Sequence, residues 1–167
     1  MNAGRRAFSG RLYEIDGCRL KSPIEPEAAS LLSERLASLD PWRTLGYSAA
    51  SLGRYLQRPD PGLHRFVVEG DGAVAGVLCV RFPWLRGASI ELVGLLPEQA
   101  GRGRGRALLD FASQETRQEA ANLWATVSAF NQSARAFYAH HGFAEVVVLP
   151  DLVKPGVDEL LLRKRLG

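Results

Sequence analysis

Cysteine and lysine are scarce in this chain of 167 residues. Two cysteines, Cys18 and Cys79, cannot by themselves build a disulfide framework or a four-ligand zinc site. No apolar run approaches the roughly 18 residues that a membrane helix needs, so we expect no membrane partner. The arginines of residues 1–10 are not followed by an apolar segment, which predicts a loose leader and a cytoplasmic protein. No linker or repeat divides the chain, and its length suits a single domain over residues 1–167.

Charge of either sign is nearly balanced. Lys and Arg number 21 against 18 Asp and Glu, which gives a net charge of +3. Nucleic-acid binders usually carry a basic face over the whole domain, whereas the dense cluster here is local and consists of Arg102, Arg104 and Arg106, spaced by glycines. A local cluster indicates a small polyanion held at one place and argues against a nucleic-acid partner.

Hydrophobic periodicity predicts an α/β fold of the α+β type, with a mixed and mostly antiparallel sheet flanked by helices. The Asp-Gly pair at Asp71 and Gly72, between two apolar runs, predicts a tight hairpin. The predicted elements are a short strand at 18–22, helices at 27–39 and 48–56, strands at 64–69, 73–82 and 89–96, a helix at 104–118, a strand at 123–127, a helix at 133–141 capped by Gln132 or Ser133, and strands at 143–149 and 157–163.

A glycine-arginine turn between a predicted strand and a predicted helix is the most informative stretch, running from Gly101 to Arg106. Glycine permits positive φ and lets the backbone approach a ligand closely. Unpaired N–H groups in the first turn of a helix, together with the helix dipole, bind anions, and the arginine side chains would add charge-assisted bonds. The spacing fits neither the dinucleotide fingerprint nor the P-loop. Two alternatives are a plain strand-to-helix turn with solvated arginines and an RNA-binding segment.

This turn resembles the [QR]-x-x-G-x-[GA] signature of the GNAT superfamily of acyl-CoA-dependent N-acyltransferases. Ala100 occupies the Gln/Arg slot, and Arg102 fills that slot only in a shifted frame. A second block, from Asn131 to Phe143, resembles the family's N-x-x-A-x-x-F-Y-x-x-x-G-F. The resemblance covers roughly residues 67–163. It implies an N-acetyltransferase that moves an acetyl group from acetyl-CoA to a primary amine by direct transfer in a ternary complex, without a metal.

In this family the donor lies where two parallel strands splay apart, which the resemblance places between residues 89–96 and 123–127. It implies that backbone groups of the first strand bind the pantetheine arm, that the glycine-arginine turn holds the pyrophosphate, and that an asparagine side chain bonds the arm. The implied cofactor-binding residues are Val93, Leu95, Gly101, Arg102, Gly103, Arg104, Gly105, Arg106 and Asn131.

Two catalytic candidates follow from this placement. Tyr138 is the candidate general acid for the leaving thiolate, because the helical repeat that puts Phe137 in the core turns the next residue toward the cleft. Glu91 is the candidate base, since strand alternation places its carboxylate among apolar neighbours, where its pKa would be raised. The rival bases are His64, His140 and Glu159. Cys79 lies within a strand, so we expect a buried, inert thiol and no acyl-enzyme intermediate.

The amine acceptor is less well defined. Four aromatic residues at loop positions can wall its pocket or anchor loops on the core: Trp42, Tyr47, Phe82 and Trp84. A small-molecule or peptide amine fits equally well. A homodimer could form through an edge strand at 157–163. Two other functions stay open, namely a non-catalytic CoA-binding sensor of the same fold and an RNA-binding domain.

Overall fold

A computed structural model describes residues 4–167. Within them, eight strands form one sheet in the order β1-β2-β3-β4-β5-β6-β8-β7. The strands are β1 (Leu12–Ile15), β2 (Cys18–Lys21), β3 (Leu63–Gly70), β4 (Ala73–Trp84), β5 (Gly87–Leu95), β6 (Asn122–Ser128), β7 (Ala144–Lys154) and β8 (Val157–Arg165). Only β5 and β6 pair in parallel, and the other neighbours are antiparallel. The predicted fold class is therefore confirmed.

Helices cover the two faces of this sheet. They are α1 (Pro26–Ala37), α2 (Trp42–Leu45), α3 (Ala49–Gln57), α4 (Arg104–Arg117) and α5 (Gln132–His140). One apolar cluster joins α1 and α3 to the sheet through residues such as Leu36, Leu52 and Val77. The other joins α4 and α5 to the opposite face through residues such as Phe66 and Leu108. The amphipathic periodicity thus produces a sheet with a core on each side.

The hairpin between β3 and β4 forms as predicted. Asp71 and Gly72 have φ values of 53° and 76°, so both central residues lie in the left-handed region that a two-residue turn of type I′ requires.

The predicted loose leader is wrong for the residues that pack against α4. Ala7 and Phe8 are 1% and 2% exposed. The Ala7 N–H donates to Glu119, in the turn just after α4, at 2.6 Å, and the Phe8 N–H donates to Glu115 of α4 at 2.8 Å. Because these partners are more than one hundred residues away, no local pattern revealed them. The same prediction for residues 1–3 lies outside the described residues.

The predicted edge strand is also wrong. β8, predicted at 157–163, lies between β6 and β7 and pairs with both. The sheet instead ends at β7, which runs beyond the predicted Leu149 to Lys154 and exposes Val146, Val147 and Leu152 by 53%, 48% and 56%. Strand-mediated pairing with a second copy would therefore have to use one of the two edge strands, β7 or β1.

Candidate active site

An opening between β5 and β6 forms the centre of the site. Their pairing runs from Gly87–Asn122 to Ile90–Ala125 and stops there, although β5 continues to Leu95. A bulge in β5 at this point, between the partners of Cys79 and Val80 on β4, adds local twist. The diverging strands border a cleft of about 760 Å³, as the family resemblance implied. Backbone groups along this part of β5 have no strand partner on the cleft side, so they can bind an extended ligand.

The first turn of α4 closes one end of the cleft. Its first backbone bond runs from Ala107 N to Gly103 O at 3.1 Å, so the N–H groups of residues 104–106 have no helical acceptor. Gly101 and Gly103 both have φ of 75°, and no side chain caps the helix. A Cβ at either glycine would meet nothing within 4 Å, so the space in front of the turn is open. Unpaired donors at a helix N-terminus facing open space form an anion site.

Two of the three arginine side chains predicted to add charge-assisted bonds to the anion are engaged with other partners. Arg104 is only 3% exposed, and its guanidinium donates to Asp71 at 3.0 Å, to Gly17 O at 3.3 Å and to Gln99. Arg102 also donates to Asp71. The helix start uses these two side chains to attach itself to neighbouring turns, which leaves the backbone as the anion-binding surface.

Arg106 is the freest of the three cations. Its side chain is 74% exposed and lies 3.7 Å from Asp110, one turn further along α4. An exposed pair of this kind contributes little to stability, so the Arg106 guanidinium can turn toward an anion at low cost.

Asn131 is the N-cap of α5, in place of the predicted Gln132 or Ser133. Its Oδ1 accepts the backbone N–H of Ala134 at 3.2 Å and the hydroxyl of Ser133 at 3.3 Å. Asn131 also borders the cleft. With its carbonyl occupied, only the amide NH2 group is left to bond a ligand.

Tyr138 borders the cleft from α5, but its burial is the reverse of the prediction. Tyr138 is 5% exposed, whereas Phe137 is half-buried and lies over Gly105, where a Cβ would come within 3.0 Å of its ring. The Tyr138 hydroxyl has no hydrogen-bond partner among the described residues. Ser113 Oγ is the one unpartnered polar side-chain atom there that is sealed from solvent, so the Tyr138 hydroxyl is open to the cleft. Burial raises the pKa of Tyr138, which keeps the hydroxyl protonated at neutral pH.

Glu91 also borders the cleft, but its predicted apolar surroundings are wrong. It is the extra residue of the β5 bulge, and its carboxylate accepts Tyr55 Oη at 2.7 Å and Arg81 Nε at 2.5 Å. Arg81 bonds Asp60 as well, at 2.9 Å. Both oxygens of the Glu91 carboxylate are therefore bonded to protein groups, which leaves little room for an acceptor nitrogen.

Glu159 reaches the cleft from β8 and is 4% exposed. It lies opposite Ser128 in the β6–β8 register, and the Ser128 hydroxyl donates to Oε1 at 2.6 Å. Burial raises the pKa of the Glu159 carboxyl, and the Ser128 bond opposes that rise. Strand pairing between distant parts of the chain brings Ser128 and Glu159 together. The sequence alone therefore gives Glu159 only as one of several candidate bases.

The remaining candidate bases and the thiol lie elsewhere. His64 is half-buried beside a separate cavity of about 840 Å³, and burial lowers its pKa. His140 is exposed at the end of α5. Cys79 is fully buried with a raised pKa, as expected for an inert thiol.

Two of the four aromatic acceptor candidates border the cleft, namely Trp42 and Tyr47. The other two lie at the far end of β5 and do not contribute to it. Phe82 packs on Phe8 with ring centroids 5.9 Å apart, and Trp84 packs on Trp124 at 5.7 Å. Both side chains therefore anchor the end of the sheet. This is the alternative role that the sequence allowed for the four aromatic residues.

Within residues 4–167, no group of three or more His, Cys, Asp and Glu side chains is arranged to hold a metal ion. No helix in this part of the chain is sufficiently long and apolar to span a membrane.

The strand-flanked cleft with a glycine-rich helix start at its end is the arrangement that the resemblance to the GNAT family implies. The acetyltransferase (GNAT) family matches residues 29–143, and the chain belongs to this family.

Several relatives are similar to the chain. A mycothiol acetyltransferase from Beutenbergia cavernae is 36% identical over 91 residues, which are 53% of this chain and 31% of that protein. The match thus spans about a third of the curated relative. A GNAT-family structure from Desulfovibrio desulfuricans has a TM-score of 0.72 at 21% identity, over 90% of this chain and 98% of that one. Mycobacterium smegmatis RimJ, solved in complex with CoA-disulfide, has a TM-score of 0.67 at 23% identity, over 93% and 86%.

Proposed function

We propose that the chain is an N-acetyltransferase that moves an acetyl group from acetyl-CoA directly to a primary amine within a ternary complex. The observation that carries this proposal is the opening between β5 and β6, with unpaired N–H groups at one end and the Tyr138 hydroxyl on its wall. Membership of the GNAT family supports acetyl transfer. The CoA-disulfide complex of the Mycobacterium smegmatis relative supports CoA as the carrier.

Donor binding would rest mainly on the backbone. The N–H groups from Gly103 to Arg106 face the position of the pyrophosphate, and the Arg106 side chain is free to join them. The cleft edge of β5 at Val93 and Leu95 offers peptide groups to the amides of the pantetheine arm. The Asn131 amide would donate to the same arm. Together these contacts would hold an extended, amide-bearing diphosphate with its thioester beside α5.

Transfer needs one bond made, one bond broken and two protons moved. The neutral amine attacks the thioester carbonyl, a C–N bond forms, and the C–S bond breaks. The proton lost by the amine nitrogen goes to a base in the cleft, and the leaving thiolate takes a proton from the Tyr138 hydroxyl. Because burial keeps that hydroxyl protonated, it is available as the acid.

The acceptor would enter from the side of Trp42 and Tyr47, which border the cleft beside β5. Aromatic walls suit a small-molecule or peptide amine with an apolar portion near the nitrogen. The curated Beutenbergia cavernae relative is named for mycothiol acetylation, and the ribosomal-protein-S18-alanine enzyme of Escherichia coli shares the fold. Both acceptor types therefore belong in a substrate panel.

Thermal unfolding in the presence of CoA tests donor binding first. A ligand at 100 times its dissociation constant stabilises a protein by about 2.7 kcal/mol, so a clear rise in melting temperature is expected. Thiol release from acetyl-CoA across an amine panel that includes semicarbazide then tests transfer. No thermal shift with CoA would refute the proposal. A shift without turnover on any amine would favour a non-catalytic CoA-binding module, and salt-sensitive RNA binding without a CoA shift would favour the RNA-binding alternative.

A further inference from the structure

Glu159 faces the acceptor side of the sheet. Its β8 neighbours Leu160 and Leu162 belong to the apolar cluster under α4 and α5. Side chains alternate along a strand, so Glu159 points to the other face, toward the layer of α1 and α3. Tyr138 belongs to the α4–α5 side. The two side chains therefore border the same cleft from opposite faces of the sheet.

The Glu159 carboxylate has one oxygen engaged and one available. Ser128 Oγ donates to Oε1 at 2.6 Å, and Oε2 has no partner among the described residues. Since Ser113 Oγ is the one unpartnered polar atom that those residues seal from solvent, Oε2 keeps contact with the cleft. A carboxylate that is 4% exposed gives up most of its hydration. An acceptor nitrogen in the cleft can supply the missing hydrogen bond.

Glu91 offers a contrast on the same face. Both of its oxygens are engaged, Oε2 by Tyr55 at 2.7 Å and Oε1 by Arg81 at 2.5 Å. The Glu91 carboxylate is therefore occupied by protein groups, one of them the Arg81 guanidinium. Glu159 has no cationic partner within the described ion pairs, and one of its two oxygens is unoccupied.

We propose that Glu159 is the base of the transfer reaction, with Ser128 as the residue that positions it; this inference rests on the proposed function. Glu159 Oε2 hydrogen-bonds the acceptor nitrogen and takes its proton as the C–N bond forms. Tyr138 gives its proton to the thiolate from the other side of the cleft as the C–S bond breaks. Because the two groups lie on opposite faces of the sheet, one side chain takes the proton of the attacking nitrogen and the other gives a proton to the leaving thiolate.

Other charged and titratable residues border the same cleft as Glu159. Within the described residues they are Asp40, Tyr47, Glu91, Arg104, Arg106 and Tyr138. Arg104 is neutralised by Asp71, and Glu91 by Arg81. The Ser128 hydroxyl is then the strongest local influence that keeps Glu159 ionised.

The test measures kcat/KM against pH with acetyl-CoA and semicarbazide, a weakly basic amine that stays unprotonated over the range used. If another amine of the panel reacts faster, that amine replaces semicarbazide. Rates are then expressed relative to the concentration of its unprotonated form. In the wild-type chain the rate should fall as the pH drops through the pKa of Glu159, which lies above the usual range for glutamate. Glu159→Gln keeps the Ser128 bond and should lower the rate by about 10²-fold or more, with loss of the acid limb.

Two further variants separate catalysis from packing. Ser128→Ala removes the bond that favours the charged carboxyl, so the acid limb should move to higher pH while CoA still raises the melting temperature. Asp158→Asn, an exposed neighbour on β8, is the matched control and should leave the profile unchanged. If Glu159→Gln retains the wild-type rate and acid limb, Glu159 is not the base, although the acetyltransferase proposal survives. If the wild-type chain turns over no amine, the acetyltransferase proposal fails, and this inference fails with it.

Discussion

Arg104, in the first turn of α4, donates to Asp71 at the tip of the β3–β4 hairpin across 3.0 Å. A cation at a helix N-terminus opposes the helix dipole, and Asp71 offsets that cost. The same guanidinium reaches Gly17 O in the turn between β1 and β2. It also lies so close to Gly70 that a Cβ there would come within 2.4 Å of Arg104 Cζ. Two hairpins thus locate the helix start that faces the cleft.

Replacing Asp71 by alanine should loosen this helix start. The buried Arg104 guanidinium would lose its carboxylate partner, which should lower the free energy of unfolding. CoA affinity should fall because the N–H groups of α4 would be held less firmly. Chemical denaturation and calorimetric titration with CoA measure the two effects. Glu14→Gln removes an exposed pair with Arg19 and serves as the control. Unchanged CoA affinity in the Asp71 variant would show that the attachment does not position the turn.

Local patterns predicted most of the fold. Apolar periodicity located nearly every helix and strand, and Asp71-Gly72 gave the hairpin correctly. The parts that failed depend on contacts between distant residues. Phe8 is buried because Glu115, far along the chain, accepts its N–H, and the Glu159 carboxylate is set by Ser128 on another strand.

In the candidate site too, local sequence patterns predicted some features, whereas others depend on contacts between distant residues. The glycine run and the block around Tyr138 gave the helix start and the wall of the cleft. The sequence could not show that Arg104 turns away to Asp71, because the hairpin and the helix meet only in the folded chain. The bulge that turns Glu91 toward Arg81 was equally invisible, since strand alternation assumes an unbroken register.

Gly103→Ala tests directly whether the backbone N–H groups at the start of α4 bind CoA. Gly103 has φ of 75°, and a Cβ would meet nothing within 4 Å, so strain rather than crowding opposes the substitution. A left-handed alanine costs roughly 1–2 kcal/mol, which should appear as reduced stability. If the turn relaxes, its N–H groups shift and CoA binds more weakly. Gly156→Ala, with a φ of 80° and open space at its Cβ position in the turn between β7 and β8, is the control. It should lose similar stability but retain CoA affinity, so equal losses of affinity in both variants would contradict a role for Gly103.

Direct transfer predicts that no acyl-enzyme forms. Cys79 is fully buried, and its raised pKa disfavours the thiolate that nucleophilic attack requires. Intact-mass spectrometry after incubation with acetyl-CoA alone should therefore show the unmodified chain, and Cys79→Ala should keep its transfer rate within a few-fold. An acetyl group found on Cys79 would overturn the ternary-complex mechanism.

Tyr138→Phe tests the proposed acid while keeping the ring. The Tyr138 ring packs against Phe143 with centroids 5.1 Å apart, and phenylalanine preserves that contact. Because the hydroxyl has no hydrogen-bond partner among residues 4–167, stability should change little, and the thermal shift with CoA should persist. The transfer rate should fall by about 10²–10⁴-fold, the usual contribution of a general acid. Tyr13→Phe, which removes a hydroxyl bonded to Glu115 far from the cleft, should keep the wild-type rate. A Tyr138→Phe variant as fast as the wild type would show that water or another group protonates the thiolate.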